Sequence, residues 1–263
     1  MKKCQIILIT FFVATVVIAQ NQKNDSLTVE KIFNGHTGAF VLFDMQHKEY
    51  LRHNSARCSE RFLPASTFKI LNSLIGLETG IIPDENFVIK WDGIKRQNDE
   101  WNKDHTLATA IKFSVVPYYQ ELARRVGRER FRGYLKRIGY GNQTIGGEVD
   151  AFWLDNSLKI STEEQIDFLK RFYEYELPFT KRSINIVKKI LPEKKYSNAL
   201  LKFKTGAGTK ENGKWLGWIV GYVEKKSNVY FFALNIEART YGETRELRDN
   251  LSRKILTRLK IIE

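Results

Sequence analysis

The sequence predicts an α+β fold, an antiparallel sheet flanked by helices with an all-helical lobe inserted into it. Two observations carry this reading. Strand-like runs cluster towards both ends of the chain, and a long helix-rich stretch separates them. Residues 39–44 (Ala-Phe-Val-Leu-Phe-Asp) are rich in strand formers, and Glu49-Tyr50-Leu51 can pair with them as a hairpin. From Pro64 the apolar pattern turns helical through Leu77 and stops at Gly80, a residue that readily terminates helices. Further helices are expected over 118–126, 129–138, 162–173 and 181–190. Ser161-Thr162-Glu163-Glu164 gives the third of these the acidic start that the helix dipole favours. Strands return at 200–204, 215–223 and 229–236, and an amphipathic helix closes the chain from about residue 243 to 260. Residues 20–263 thus read as a single domain. The sheet lobe takes about 20–63 and 195–263, and the helical lobe about 64–194. No internal repeat or low-complexity linker interrupts it.

At 263 residues, 43% hydrophobic and 28% charged, the chain has the composition of a globular protein with a substantial core. Residues 1–19 stand apart: Lys2 and Lys3, an apolar run over 6–18, then Val17-Ile18-Ala19 before Gln20. This is the layout of a secretory signal peptide cleaved after Ala19, and the run is short for a membrane span. An uncleaved anchor is the competing reading. A secreted, periplasmic protein with no membrane span after signal removal is therefore expected.

Cys4 would leave with the signal, so Cys58 would be alone and no intrachain disulfide is possible. Cys58 reads as a small packed thiol. The four histidines show neither His-x-His nor His-Glu-x-x-His spacing, which leaves a zinc hydrolase unsupported and a metal unexpected. The net charge of +13 invites a nucleic-acid reading, but lysine and arginine are dispersed and no nucleic-acid motif is present. A solvated basic surface, able to draw in small anionic substrates, is the simpler account. The segment 208–214 fits a phosphate loop only as far as its lysine; Trp215 stands where Ser or Thr is needed, and Asn212-Gly213 signals a hairpin turn instead.

The most informative tetrapeptide is Ser66-Thr67-Phe68-Lys69, at the head of an apolar helical run. Serine and lysine three residues apart on a helix leave from one face. They lie at the end where backbone N–H groups are unpaired. A serine hydroxyl becomes a nucleophile when a base takes its proton, and a lysine whose surroundings suppress its charge is such a base. Downstream, in order, come Ser114-Val115-Val116, Tyr140-Gly141-Asn142, the Trp-Leu-Asp-Asn-Ser-Leu segment from Trp153, and Lys204-Thr205-Gly206. Any one tripeptide is common by chance; five such motifs in this order are not.

With these motifs the chain resembles the class D β-lactamases, the oxacillinase-type serine enzymes, over essentially the whole mature sequence. Class A enzymes and penicillin-binding proteins carry Ser-Asp-Asn where this chain has Ser114-Val115-Val116. The resemblance implies a β-lactamase/penicillin-binding transpeptidase-like fold and the role of an antibiotic-resistance hydrolase. Ser66 would be acylated by the lactam carbonyl, with the N–H groups of Ser66 and Ala207 as oxyanion hole. Lys69 would carry a carbamate (N6-carboxylysine) and act as general base. Carbon dioxide or bicarbonate would be its source, with no metal or organic cofactor. A neutral amine is required for this, hence an apolar pocket; Phe68, Val116, Trp153 and Leu154 are the expected walls, with the Trp153 indole N–H directed at the carbamate. Ser114 would relay a proton to the leaving nitrogen with Lys204 in support.

Lys204, Thr205, Gly206 and Ala207, with Tyr140 and Leu154, would contact substrate. Arg248, read as leading into the last helix, would hold the substrate carboxylate in a bidentate fork. Small-molecule β-lactams are the expected partners, with no nucleic acid, and both monomers and homodimers occur in the class. Substrate range would be set by the loops 99–106 and 207–214. Two other readings share the motifs: a β-lactam sensor domain that keeps its acyl group, and a D,D-peptidase, which the Ser-x-Val motif and Trp153 disfavour.

Overall fold

A computed structural model describes residues 25–263; the expected signal segment lies outside the described residues. Six antiparallel strands form the sheet in the order β2-β1-β8-β7-β6-β5. They are β1 (Gly38–Asp44), β2 (Glu49–His53), β5 (Glu193–Lys195), β6 (Leu200–Thr209), β7 (Trp215–Lys225) and β8 (Asn228–Ala238). The expected hairpin is present, pairing Asp44 with Glu49 and Phe40 with His53. A two-residue ribbon of β3 (Val88–Ile89) and β4 (His105–Thr106) lies apart from the main sheet.

Successive side chains of a strand face opposite ways, and here both faces are buried. Phe40 and Leu42 of β1 enter one core, with Ile219, Phe232 and Leu234. A helix over 25–33 (α1) and the C-terminal α9 (Tyr241–Arg258) cover that core with Val29, Phe33, Leu251 and Ile255. Val41 and Phe43 enter the other core, with Val220, Tyr222 and Phe231. That second core is continuous with the helical lobe. The two-sided burial explains why β7 and β8 read as apolar runs rather than as an alternation.

The helical lobe contains α3 (Lys69–Glu78), α4 (Leu107–Lys112), α5 (Val116–Val126), α6 (Arg128–Ile138), α7 (Thr162–Tyr173) and α8 (Lys181–Ile190). A short α2 (Ser55–Ser59) precedes it. Ser161 caps α7 in a reciprocal box with Glu164, as its sequence suggested. Three departures bear on the site. The helix expected from Pro64 opens as a 3₁₀ turn, Ala65–Phe68, and becomes α-helical only at Lys69. α5 begins at Val116, ahead of Pro117, whose missing N–H is no loss in a first turn. β6 runs on to Thr209, so Lys204-Thr205-Gly206 lies mid-strand.

Candidate active site

The turn that carries Ser66 and Lys69 is built by a backbone that leaves the right-handed region once. Ala65 has φ 47°, after which residues 65–68 wind as a 3₁₀ turn. Side chains three apart eclipse each other in such a turn. Ser66 and Lys69 therefore stack, and Lys69 Nζ donates to Ser66 Oγ at 2.6 Å. The turn is tied down on every side. Ala65 N donates to Trp153 O (3.1 Å), Thr67 Oγ1 to Pro64 O (2.7 Å) and Gln165 Nε2 to Thr67 Oγ1 (2.9 Å). Phe68 stacks on Trp153 at 5.6 Å and meets Phe152 and Tyr140 edge-on.

Lys69 is fully buried. No carboxylate partners it, and burial pushes its amine down to about 7. At neutral pH a large share of this amine is thus uncharged and nucleophilic. Its Nζ lies 5.3 Å from the centroid of the Tyr119 ring, whose hydroxyl is occupied by Ser73 Oγ at 2.8 Å. Trp153 is also fully buried, yet its indole Nε1 has no hydrogen-bond partner. Such an orphan donor costs on the order of 1–3 kcal/mol and calls for an acceptor.

Ser114 joins α4 to α5 with φ 54°, a left-handed conformation unusual for a residue with a Cβ. Its hydroxyl accepts from Lys204 Nζ at 3.1 Å, and the same nitrogen donates to Thr205 O at 2.8 Å. Burial first, then the positive charges of Lys69 and Arg248, push the Lys204 amine well below its ordinary value. Two lysines with suppressed charge thus stand beside two serine hydroxyls.

β6 brings the remaining groups. β5 pairs only with residues 200–202, so beyond them β6 has no strand on that side and borders the catalytic turn. Lys204 and Gly206 are buried, while Thr205 and Ala207 are partly exposed. A Cβ at Gly206 would lie 3.0 Å from Pro64 O and 3.2 Å from Ser66 N, so only glycine lets the strand approach this closely.

Arg248 corrects its expected placement. It sits inside α9 rather than ahead of it, buried, with Nη1 donating to Gly206 O at 2.8 Å. Its side chain thereby pins the Lys-Thr-Gly segment. Tyr140, expected to contact substrate, is deeply buried. At 2% exposure its ring packs edge-on against Phe68 and Phe168, bracing the turn from behind. Val116 and Leu154 are half-buried, and Leu154 packs against the apolar core.

Sequence reasoning passed over Thr67 and Gln165, and over a clasp at the β6–β7 turn. There half-buried Glu237 accepts from Arg57 Nη1 (2.9 Å) and Lys210 Nζ (2.6 Å). Asn156 Nδ2, from the Trp153 loop, donates to Thr209 O at 3.0 Å. The segment 208–214 is the tight turn expected, with Gly213 at φ 78° and Lys210 N donating to Lys214 O. Cys58 is a packed thiol, donating to His53 O and pushed up to about 11 chiefly by burial. Among the described residues no three His, Cys, Asp or Glu side chains group as metal ligands, and no helix is long and apolar enough to cross a membrane.

Fold and site together define a serine acyl-transfer protein of the penicillin-binding type. Residues 15–257 match the penicillin binding protein transpeptidase domain. β-Lactamase OXA-48 of Klebsiella pneumoniae is 40% identical over 257 residues, covering 96% of each chain. The class D β-lactamase FUS-1 of Fusobacterium nucleatum subsp. polymorphum superposes with a TM-score of 0.86, at 38% identity over 90% of this chain and 99% of its own. The regulatory protein BlaR1 of Bacillus licheniformis is 39% identical over 201 residues, 76% of this chain but 33% of its own length. The chain belongs to the class D β-lactamase family.

Proposed function

We propose that the protein hydrolyses β-lactam antibiotics through an acyl-enzyme on Ser66, with Lys69 carbamylated as the general base. The observation that carries the reading is the state of Lys69. It is fully buried, held near neutrality at about 7, and 2.6 Å from the Ser66 hydroxyl. No carboxylate pairs with it; its neighbours are the Ser66 hydroxyl and the Tyr119 ring. The donor set fits a carbamate, with Ser66 Oγ and Trp153 Nε1 as its holders. Bound there, the group supplies an anionic base that an ammonium cannot.

The chain's own residues do the rest. Ser66 Oγ attacks the lactam carbonyl, and the oxygen gathers charge facing the N–H groups of Ser66 and Ala207. Arg248 and Gly206 set the spacing of that hole, one by pinning the strand and the other by lacking a Cβ. Ser114 delivers a proton to the departing nitrogen, and Lys204 restores it through their 3.1 Å contact. The substrate carboxylate meets the Arg248 guanidinium and the Thr205 hydroxyl, with Lys204 as a hydrogen-bond donor beside them. The basic, apolar leader of residues 1–19 supports export to the periplasm.

Turnover of a chromogenic cephalosporin with and without added bicarbonate tests the proposal. Many turnovers per protein, stimulated by bicarbonate, are expected. A single stoichiometric burst would instead assign the sensor behaviour, with the acyl group retained on Ser66.

A further inference from the structure

We propose that the cationic groove between α1 and α9 docks the protein onto the anionic headgroups of a phospholipid surface. The groove encloses roughly 480 Å³ and is lined by Ile32 and by the side chains of Lys31, Arg253, Lys254 and Arg258, with Thr28 and Thr257. No carboxylate lines it. Of the acidic residues nearby in sequence, Glu30 pairs with His53 Nδ1 (2.8 Å), Asp249 with Arg248 (3.2 Å) and Glu263 with Ser197 Oγ (3.1 Å), while Asp25 lines a different pocket with Asp44 and Glu49. Basic residues in the last turns of α9 are favoured by the helix dipole, which accounts for Arg258. It does not account for Lys31, which a separate helix brings to the same groove. Lys254 and Arg258 are also i,i+4 neighbours of like charge, a costly arrangement without an anion between them.

Two features select a lipid surface as that anion. The lining sets cationic head groups and hydroxyls beside Ile32 and the alkyl stems of the basic residues, an amphipathic mix suited to a lipid headgroup rather than to a free ion. Leu27 on α1 is 51% exposed there and offers an apolar contact. The orientation is also compatible with function. α1 and α9 cover one face of the sheet, while Ser66 and the helical lobe lie against the other, so a docked molecule keeps its cleft towards water.

Co-sedimentation of the exported, processed protein with phosphatidylcholine vesicles, with and without phosphatidylglycerol, tests this. Binding is expected only with the anionic lipid, and it should fade as added salt shortens the screening length. Each basic residue near a charged leaflet contributes about fivefold to partitioning. Combined Lys31→Glu, Arg253→Glu and Arg258→Glu should therefore weaken binding by about a hundredfold or more. The same number of reversals on the helical lobe (Lys95→Glu, Lys136→Glu, Lys181→Glu) should leave most of it. Both variants should keep their thermal midpoint; if charge reversal unfolds the groove, the three Gln variants must give the same ordering. Equal losses from both sets would overturn the proposal in favour of diffuse charge. Equal binding to neutral vesicles, or displacement by millimolar inorganic phosphate, would overturn it in favour of apolar adsorption or a free-phosphate site.

Discussion

Gly206 approaches the catalytic turn so closely that a methyl group on its Cα would sit 3.2 Å from the backbone nitrogen of Ser66. The strand that carries Lys204 and the turn that carries Ser66 are thus spaced by the absence of one side chain. The obstructing atoms are backbone, Pro64 O and Thr67 N as well as Ser66 N, and backbone cannot rotate out of the way.

Gly206→Ala should therefore push β6 off the turn and widen the oxyanion hole. Loss of one such donor is worth about 10²–10³ in rate, and a drop of that order in acylation is expected. The cost to folding should stay within about 1–3 kcal/mol, as for other overpacked sites. Acylation followed by intact-protein mass spectrometry, beside a thermal melt, separates the two effects. Near-normal acylation would show that the close approach does not set the hole.

Lys69 should cost the protein stability. Its amine titrates near 10.5 in the unfolded chain and at about 7 in the fold. Between those values the unfolded state binds more protons, so stability should rise as pH increases from 7 towards 10.5 and level off below 7. Lys69→Met removes the buried amine and keeps the shape. In buffer free of carbon dioxide it should be more stable by about 2–4 kcal/mol at pH 7, with turnover abolished. Urea melts across this pH range check it; a less stable Met variant would contradict the assignment of a desolvated, unpaired amine.

Ser114 has two separable roles. Its hydroxyl accepts from Lys204, and its backbone is left-handed at φ 54°. Ser114→Ala and Ser114→Gly should slow acylation alike, by about 10²–10⁴. Only the Gly variant relieves the backbone, so it should be the more stable of the two by about 1 kcal/mol. Rates that differ between the two variants would show that backbone freedom, and not only the hydroxyl, governs the proton relay.

Glu237 should be a liability in acid. Burial alone would raise its carboxyl, but the Lys210 hydrogen bond and the charges of Arg57 and Lys210 hold it below the usual value. A depressed carboxylate contributes stability above its unfolded pKa and loses it as pH falls through the folded one. Glu237→Gln leaves Arg57 buried without its counter-charge and should cost about 3–5 kcal/mol at neutral pH. The variant's stability should also be flatter than the parent's at acidic pH; parallel acid profiles would remove Glu237 from the account.

The fold was legible where patterning is local. The hairpin of β1 and β2, the cap of α7 at Ser161 and the turn at Gly213 each follow from a few adjacent residues. Ser66, Lys69, Ser114 and Lys204 were legible because motif order identifies them, and they do converge. What stayed hidden depends on partners far apart in sequence. Nothing near Tyr140 tells that Phe68 and Phe168 enclose it, and nothing near Arg57 tells that Glu237, 180 positions on, will meet its guanidinium. Short elements such as α2, β3 and β4 carry too few residues to show a period. The displaced start of the helix at Lys69 is of the same kind, since Ala65 takes a left-handed backbone that alanine does not favour and its N–H is held by Trp153 O, far along the chain.

Labelling Lys69 with ¹³C-bicarbonate, and following the carbamate resonance by NMR while turnover is measured in the same samples, tests the central claim most directly. A single resonance is expected, absent in Lys69→Met, whose intensity rises with turnover as bicarbonate is restored. In Trp153→Phe, which keeps the ring packing and deletes the indole N–H, both should demand more bicarbonate. Full turnover with no carbamate signal would contradict the account and return the role of base to the free amine.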